Sequence, residues 1–219
     1  MISKNKDKKI VLSLRKQGLS YSQIKQKVDI SKSTLSLWLR EMPLTKSQID
    51  LLRGRNPQRI ERFRNTMRMK REKEESRVLS EVQKELGLFS RREILIAGLF
   101  LYWGEGTKAA SCTTAVTNTD PDVLRFFVHW LNQLGIKNEK LTVVLHLYKD
   151  MNVKKEMEFW AGYLKIPLSR FRRPYIKKSL LCDITYRSGF KHGTCSVLYL
   201  NKDMYLYVKA GLKYIRNRP

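Results

Sequence analysis

Residues 90–106 read SRREILIAGLFLYWGEG, and the expected architecture of the C-terminal half grows from them. Ser90 and Glu93 form a capping box, in which the N-cap hydroxyl and the N3 carboxylate each satisfy a backbone N–H of the other, so a helix starts at Arg91. From Ile94 to Trp103 the helix is apolar on all sides, which predicts burial, and Ala97, Gly98 and Gly104 are small enough to let another backbone approach closely. Ten apolar residues are too few to span a bilayer, and the N-terminus lacks the apolar region of a secretory signal. No membrane partner is therefore expected, and a cytoplasmic location is. Glu105 is the anomaly. A carboxylate beside the carbonyl end of a helix is unfavourable unless a cation or a donor such as Lys108 sits there.

Beyond this helix the pattern alternates between strand and helix. SCTTAVTN (111–118) reads as a strand; Asp120 and Pro121 supply an N-cap and N1 pair that opens a helix ended by Gly135. LTVVLHLY (141–148) alternates, with Leu141, Val143, Leu145 and Leu147 on one face and Thr142, Val144, His146 and Tyr148 on the other. A helix over 153–164, a basic loop (SRFRRPYIKK, 169–178), two strands (LLCDITYR, 180–187, and TCSVLYLN, 194–201) and a last helix over 203–215 complete the chain. Pro174 argues against helix in the basic loop. Asp183, Thr185, Arg187, Thr194 and Ser196 share a polar sheet face opposite Cys182, Ile184, Tyr186, Cys195 and Val197. A mixed polar face can hydrogen-bond base edges, and Arg170, Arg172, Arg173, Lys177 and Lys178 in the preceding loop suit phosphate.

IAGLFLYWGEG resembles the helix of the LAGLIDADG homing-endonuclease family through Ala97, Gly98, Glu105 and Gly106, with two more residues between the two pairs than the family pattern has. The resemblance implies an αββαββα domain over 90–219 with a saddle-shaped antiparallel sheet on DNA. It implies that Glu105 binds a divalent metal, Mg, beside the scissile phosphates, with Lys108 as a polarising group. With one such motif per chain, two chains would pair as a homodimer through the 91–104 helix to assemble two carboxylates.

The first 45 residues carry a different signature. Ile10, Val11, Leu14 and the stem of Arg15 fall at helical spacing before Gly18; Ser20 caps a second helix with Ile24 and Val28 inward; Ser31 caps a third, KSTLSLWLRE. Leu35, Trp38 and Leu39 form its inner stripe, leaving Lys32, Ser33, Ser36, Leu37 and Arg40 outside. GLSYSQIKQKVDISKSTLSLWLR (18–40) resembles the helix-turn-helix of resolvase, invertase and homeodomain-like regulators. By that resemblance Ser33, Ser36 and Leu37 lie at base edges, while Lys32, Thr34 and Arg40 hold phosphates.

Residues 46–89 read as a basic helical connector: a short helix to Gly54, then a restart with Asn56 as N-cap and Pro57 at N1, uninterrupted to Leu86. Ile60, Phe63 and Met67, then Val78, Val82 and Leu86, form two apolar patches parted by Lys70 to Glu75, a pattern too broken for a coiled coil. The helix is either a tracker of the DNA backbone or a solvated spacer.

Charge binds these readings together. The 219 residues hold 44 Lys+Arg against 20 Asp+Glu, a net +24, and the excess is +7, +5 and +12 in residues 1–45, 46–90 and 91–219. Solubility asks for a magnitude of only about 2–8, so an anionic polymer is the expected partner. With 42% hydrophobic and 10% aromatic residues the chain also has the means to bury a core. Three distant cysteines and three histidines support neither a disulfide framework nor zinc. His129, in a helix, reads as packed or surface; His146 shares a sheet face with Thr142; His192 sits in a hairpin turn. The chain thus reads as α+β and double-stranded DNA-binding. It is either a Mg-dependent homing-type endonuclease or a non-catalytic transcriptional regulator with a degenerate LAGLIDADG-like domain.

Overall fold

A computed structural model describes residues 2–108, 112–181 and 191–217. The chain divides into two compact units, Met1–Gly87 and Leu88–Pro219.

In the first unit α1 (Ile2–Lys16), α2 (Tyr21–Lys27) and α3 (Lys32–Trp38) enclose Val11, Tyr21, Ile24, Leu35 and Leu39. Gly18 at φ +88° turns the chain out of α1, a conformation that side chains with a Cβ seldom adopt. Ser20 makes a full capping box with Gln23, and the Ser31 side chain accepts from the Thr34 N–H. Helix α3 is shorter than expected: Leu39 is its C-cap and Arg40 lies in the following turn. After α4 (Lys46–Asp50), helix α5 runs unbroken from Arg55 to Leu86, 32 residues. Its N-cap is Gly54 at φ 91°, so the helix begins two residues before the Asn56–Pro57 start expected from the sequence.

The base of α5 belongs with the first three helices. Glu61, 1% exposed, accepts from Arg15 at 2.8 Å and from Arg64 at 2.8 Å. Arg15, 3% exposed, also donates through Nε to the Met42 carbonyl and through Nη1 to the Leu19 carbonyl. Both guanidinium groups lie over the Tyr21 ring, at 4.8 and 3.8 Å. Burial pushes the Tyr21 hydroxyl pKa up, against the pull of Arg15 and Arg64. An arginine read from the sequence for its aliphatic stem is therefore the polar centre of the unit.

The second unit is built in the order α6 (Arg91–Glu105), β1 (Thr113–Asn118), α7 (Pro121–Gln133), β2 (Thr142–Tyr148), α8 (Val153–Leu164), β3 (Tyr175–Lys177), β4 (Thr194–Leu200), α9 (Lys202–Arg216). The sheet order is β1-β4-β2-β3. Strands β1/β4 and β4/β2 are antiparallel, but β2/β3 are parallel, so the sheet of described strands is mixed and not wholly antiparallel as expected. Helices intervene between β1, β2 and β3, and the crossover through α8 is what brings β3 in parallel to β2. β3 falls inside the stretch read as a basic loop. The strand expected over 180–187 begins with Leu180 and Leu181 outside any strand, and residues 182–187, with Asp183, Thr185 and Arg187, lie outside the described residues.

One sheet face carries the core. Val116, Val143, Leu145, Leu147, Cys195 and Val197 join Tyr102 of α6, Leu124, Phe127, Trp130 and Leu131 of α7, Trp160 and Leu164 of α8, and Met204 and Val208 of α9. Burial raises the Cys195 thiol far above its ordinary range, so it stays protonated and inert.

Helix α6 is only half covered, contrary to the all-round burial expected. Gly98 and Tyr102 are buried, whereas Ile96 (40%), Ala97, Phe100 (53%) and Gly104 are exposed. Close approach at Gly98 is made within the chain, because a Cβ there would lie 2.0 Å from the Trp130 ring, whose Nε1 donates to the Leu95 carbonyl at 3.2 Å. At Gly104 a Cβ meets open space.

Candidate nucleic-acid interface

Helix α3 sorts its side chains cleanly. Leu35 and Leu39 are buried, Trp38 is half-buried, and Lys32, Ser33, Ser36, Leu37 and Arg40 are exposed. Leu37 is 71% exposed, so no packing in the unit accounts for it. Thr34 is half-buried, and its hydroxyl lies 2.8 Å from that of Ser31, which also holds the Ser33 hydroxyl at 2.9 Å. The cap thus orients the first turn of α3 and restrains two hydroxyls assigned from the sequence to base and phosphate. Lys32, Ser36, Leu37 and Arg40 keep their polar or apolar tips clear of that network.

In the second unit the face opposite the core presents Thr117 of β1, Thr194, Ser196 and Leu198 of β4, Val144 and His146 of β2, and Tyr175 and Lys177 of β3, aligned by register. Val144 and Leu198 are not members of the core cluster, to which α6, α7, α8 and α9 contribute on the other face, yet Ala115, Thr142, Tyr148 and Ser196, which share this face by register, are 8% exposed or less. The expected alternation of Thr194 and Ser196 against Cys195 and Val197 is present. Ser196, however, is 8% exposed, and its hydroxyl lies 2.7 Å from the Thr117 hydroxyl, which stands outside it. Thr117 is the more accessible group, and only its register with Ser196, not its local pattern, reveals it. His146 lies 5.6 Å from the Tyr175 ring, making a mixed aromatic edge on this face.

The basic residues at this edge divide. Arg172, Arg173 and Lys178 are exposed, and Lys177 is half-buried with its Nζ 4.6 Å from the Tyr148 ring. Arg170 differs: its Nε donates to the Leu141 carbonyl at 2.7 Å and Nη2 reaches the Lys140 carbonyl at 3.4 Å. That guanidinium fastens the entrance of β2, so its role in the fold is structural. His192 also fastens the fold, stacking on Phe159 at 3.5 Å with Nδ1 2.8 Å from Glu156. His129 is exposed on α7.

Glu105 is the last residue of α6 and is exposed. Its Oε2 accepts from the Asn118 amide at 3.2 Å. Lys108 is exposed and makes no ion pair with it among the described residues. The helix end is fixed to the sheet beside it: Gly106 bridges to Val116, the Thr107 N–H donates to the Ala115 carbonyl at 2.9 Å, and the Tyr102 hydroxyl donates to the Thr107 carbonyl at 2.8 Å. A Cβ on Gly106 would lie 2.3 Å from the Tyr102 carbonyl oxygen, which makes glycine necessary at this cap. Among the described residues no three His, Cys, Asp or Glu side chains converge to hold a metal. No described helix is long and apolar enough to cross a membrane. Comparison with known protein families, characterised proteins and solved structures gives no match.

Proposed function

We propose that the chain is a sequence-specific double-stranded DNA-binding protein that uses α3 for base reading and the sheet edge at β3, with Arg172, Arg173 and Lys178, as a second contact surface. The observation that carries this reading is α3 with the turn that follows it: a capped helix with Leu35 and the C-cap Leu39 inward, Lys32, Ser36 and Leu37 at its surface, and Arg40 exposed in the turn. Its width suits a major groove about 12 Å across, where an apolar side chain such as Leu37 meets a thymine methyl and small hydroxyls meet base edges. Replacing Leu37 or Ser36 by Ala should relax base preference at particular positions, by about 1–3 kcal/mol each, whereas Arg40→Ala should weaken all duplexes alike. Sites selected by each variant from a randomised duplex library check this; unchanged preferences for both Leu37→Ala and Ser36→Ala would remove α3 from the interface.

A second reading, Mg-dependent DNA cleavage by a homodimer, draws on the position of Glu105 at an exposed helix end and on the exposed stripe of Ala97, Phe100 and Gly104 on the same helix. Mg²⁺ uses one or two carboxylates together with phosphate oxygens and water, and two chains paired through α6 would bring two Glu105 carboxylates to the two strands of one duplex. The metal would serve to stabilise charge on the scissile phosphate; this chain's own part is to hold Glu105 through Asn118 and to offer Lys108 as a neighbouring cation. Glu105→Gln should abolish nicking of the selected site while leaving affinity within about twofold. Gly104→Leu, whose side chain meets open space in the free chain, should do the same by blocking the α6 pair. A wild-type protein that binds its site and never nicks it with Mg²⁺ is a regulator.

A further inference from the structure

Helix α5 has a face that nothing in its unit covers. Every residue from Thr66 to Leu86 is exposed, among them Met67, Val78, Leu79, Val82 and Leu86, so this stretch lacks the packed face from which helices in proteins draw most of their stability. The ion pairs Arg68–Glu72, Arg77–Glu74 and Arg77–Glu81 run along the helix and stabilise it only weakly.

Two patterns on this helix point to the same partner. At about 100° per residue, Phe63, Met67, Arg71, Glu74, Val78 and Val82 fall on one face about 100° wide. Read in either direction that face gives two apolar residues, a charged pair and two apolar residues, at spacings of 4, 4, 3, 4 and 4. The helix is also polar in charge: residues 55–71 hold seven basic and one acidic side chain, and residues 72–86 hold five acidic and three basic. Such a helix is complementary to its own reverse.

We propose that α5 pairs antiparallel with α5 of a second copy of the chain, about a two-fold axis between Glu72 and Lys73. Phe63 then lies against the partner's Val82 and Met67 against the partner's Val78. At the centre Lys70 and Arg71 face the partner's Glu74 and Glu75. Arg71 makes no ion pair among the described residues, and Phe63 and Met67, 63% and 45% exposed, are left uncovered on the same face of the helix. The break between the two apolar patches, which disqualifies a continuous apolar seam, is on this account the feature that sets direction and register.

The pairing has a consequence that rests on the DNA-binding reading. Glu61, which anchors the three-helix module to α5 through Arg15, recurs about 23 residues away on the antiparallel partner, roughly 35 Å at 1.5 Å per residue. A two-fold pair of recognition helices reads a palindrome, because the symmetry of the site mirrors that of the protein.

Sedimentation of the full chain at micromolar concentration, with a charge exchange in α5, tests the pair. Wild type should sediment as a dimer. Arg71→Glu alone and Glu74→Arg alone each set like charges together and should yield monomer, and the double variant Arg71→Glu/Glu74→Arg should restore the dimer; both positions are exposed, so each variant keeps its fold. A monomeric wild type, a dimer indifferent to the single changes, or a double variant that stays monomeric would overturn the pairing. So would a dimer that dissociates with Gly104→Leu but not with Arg71→Glu. A dimer that obeys the charge exchange yet selects no palindromic duplex upholds the pair and refutes the helix-turn-helix reading instead.

Discussion

Glu61→Ala should unfold much of the first unit's stability. The substitution leaves the Arg15 guanidinium, 3% exposed, with its charge uncompensated, although its bonds to the Met42 and Leu19 carbonyls remain. Breaking one side of a buried ion pair costs about 3–5 kcal/mol, a large share of the roughly 5–15 kcal/mol that holds a domain together. For a unit of this size the melting transition should fall by roughly 12 °C or more. Arg62→Ala is the matched control, because its pair with Asp50 stands 61% and 47% exposed and should be worth about 1 kcal/mol or less. Circular dichroism melts of the two variants compare a buried and an exposed ion pair on the same helix; equal melting temperatures would show that Glu61 does not anchor α5.

Salt should weaken DNA binding more than any single substitution. The +24 excess is spread over both units, and if about 6–10 phosphates are neutralised, affinity falls by about 10³–10⁵ between 50 and 200 mM salt. Residues such as Arg40, Arg172, Arg173 and Lys178 are exposed and positioned to take part, whereas Arg15 and Arg170 are bound to carbonyls or carboxylate inside the fold. Arg172→Ala with Arg173→Ala should therefore reduce the slope of log affinity against log salt by about 2, whereas conservative exchange at Arg170 should leave it unchanged. Fluorescence anisotropy titrations at four salt concentrations read this slope, and a flat response would exclude phosphate contacts.

What could be read from the sequence was what local chemistry decides. Ser20, Ser31 and Ser90 cap helices because their hydroxyls reach an N–H three residues on, and the alternation in 141–148 assigns both faces of β2 without knowledge of its neighbours. What escaped depends on residues far apart. β3 contains only Tyr175–Lys177 in a run rich in charge, and it is a strand because β2 offers it a parallel edge after the α8 crossover. The burial of Arg15 is decided by a glutamate 46 positions later. Likewise α6 looks buried on all sides by composition, yet α7 and α9 cover only part of it, and the small residue expected to admit a second chain at Gly98 admits Trp130 instead. Among the candidate site residues, Lys32, Ser36, Leu37 and Arg40 are exposed as their helical spacing predicts, Thr34 and Ser33 join a cap, Ser196 hides behind Thr117, and Glu105 rests on Asn118 in solvent.

The most direct test of the account is selection of duplexes by the full-length protein from a randomised library at about 150 mM salt, followed by sequencing of the bound fraction. Sequence-specific binding through α3 predicts enrichment of one defined motif, with the strongest preference lost when Leu37 is replaced by Ala. A bound fraction as random as the input, or a motif unaltered in the Leu37→Ala protein, would contradict it.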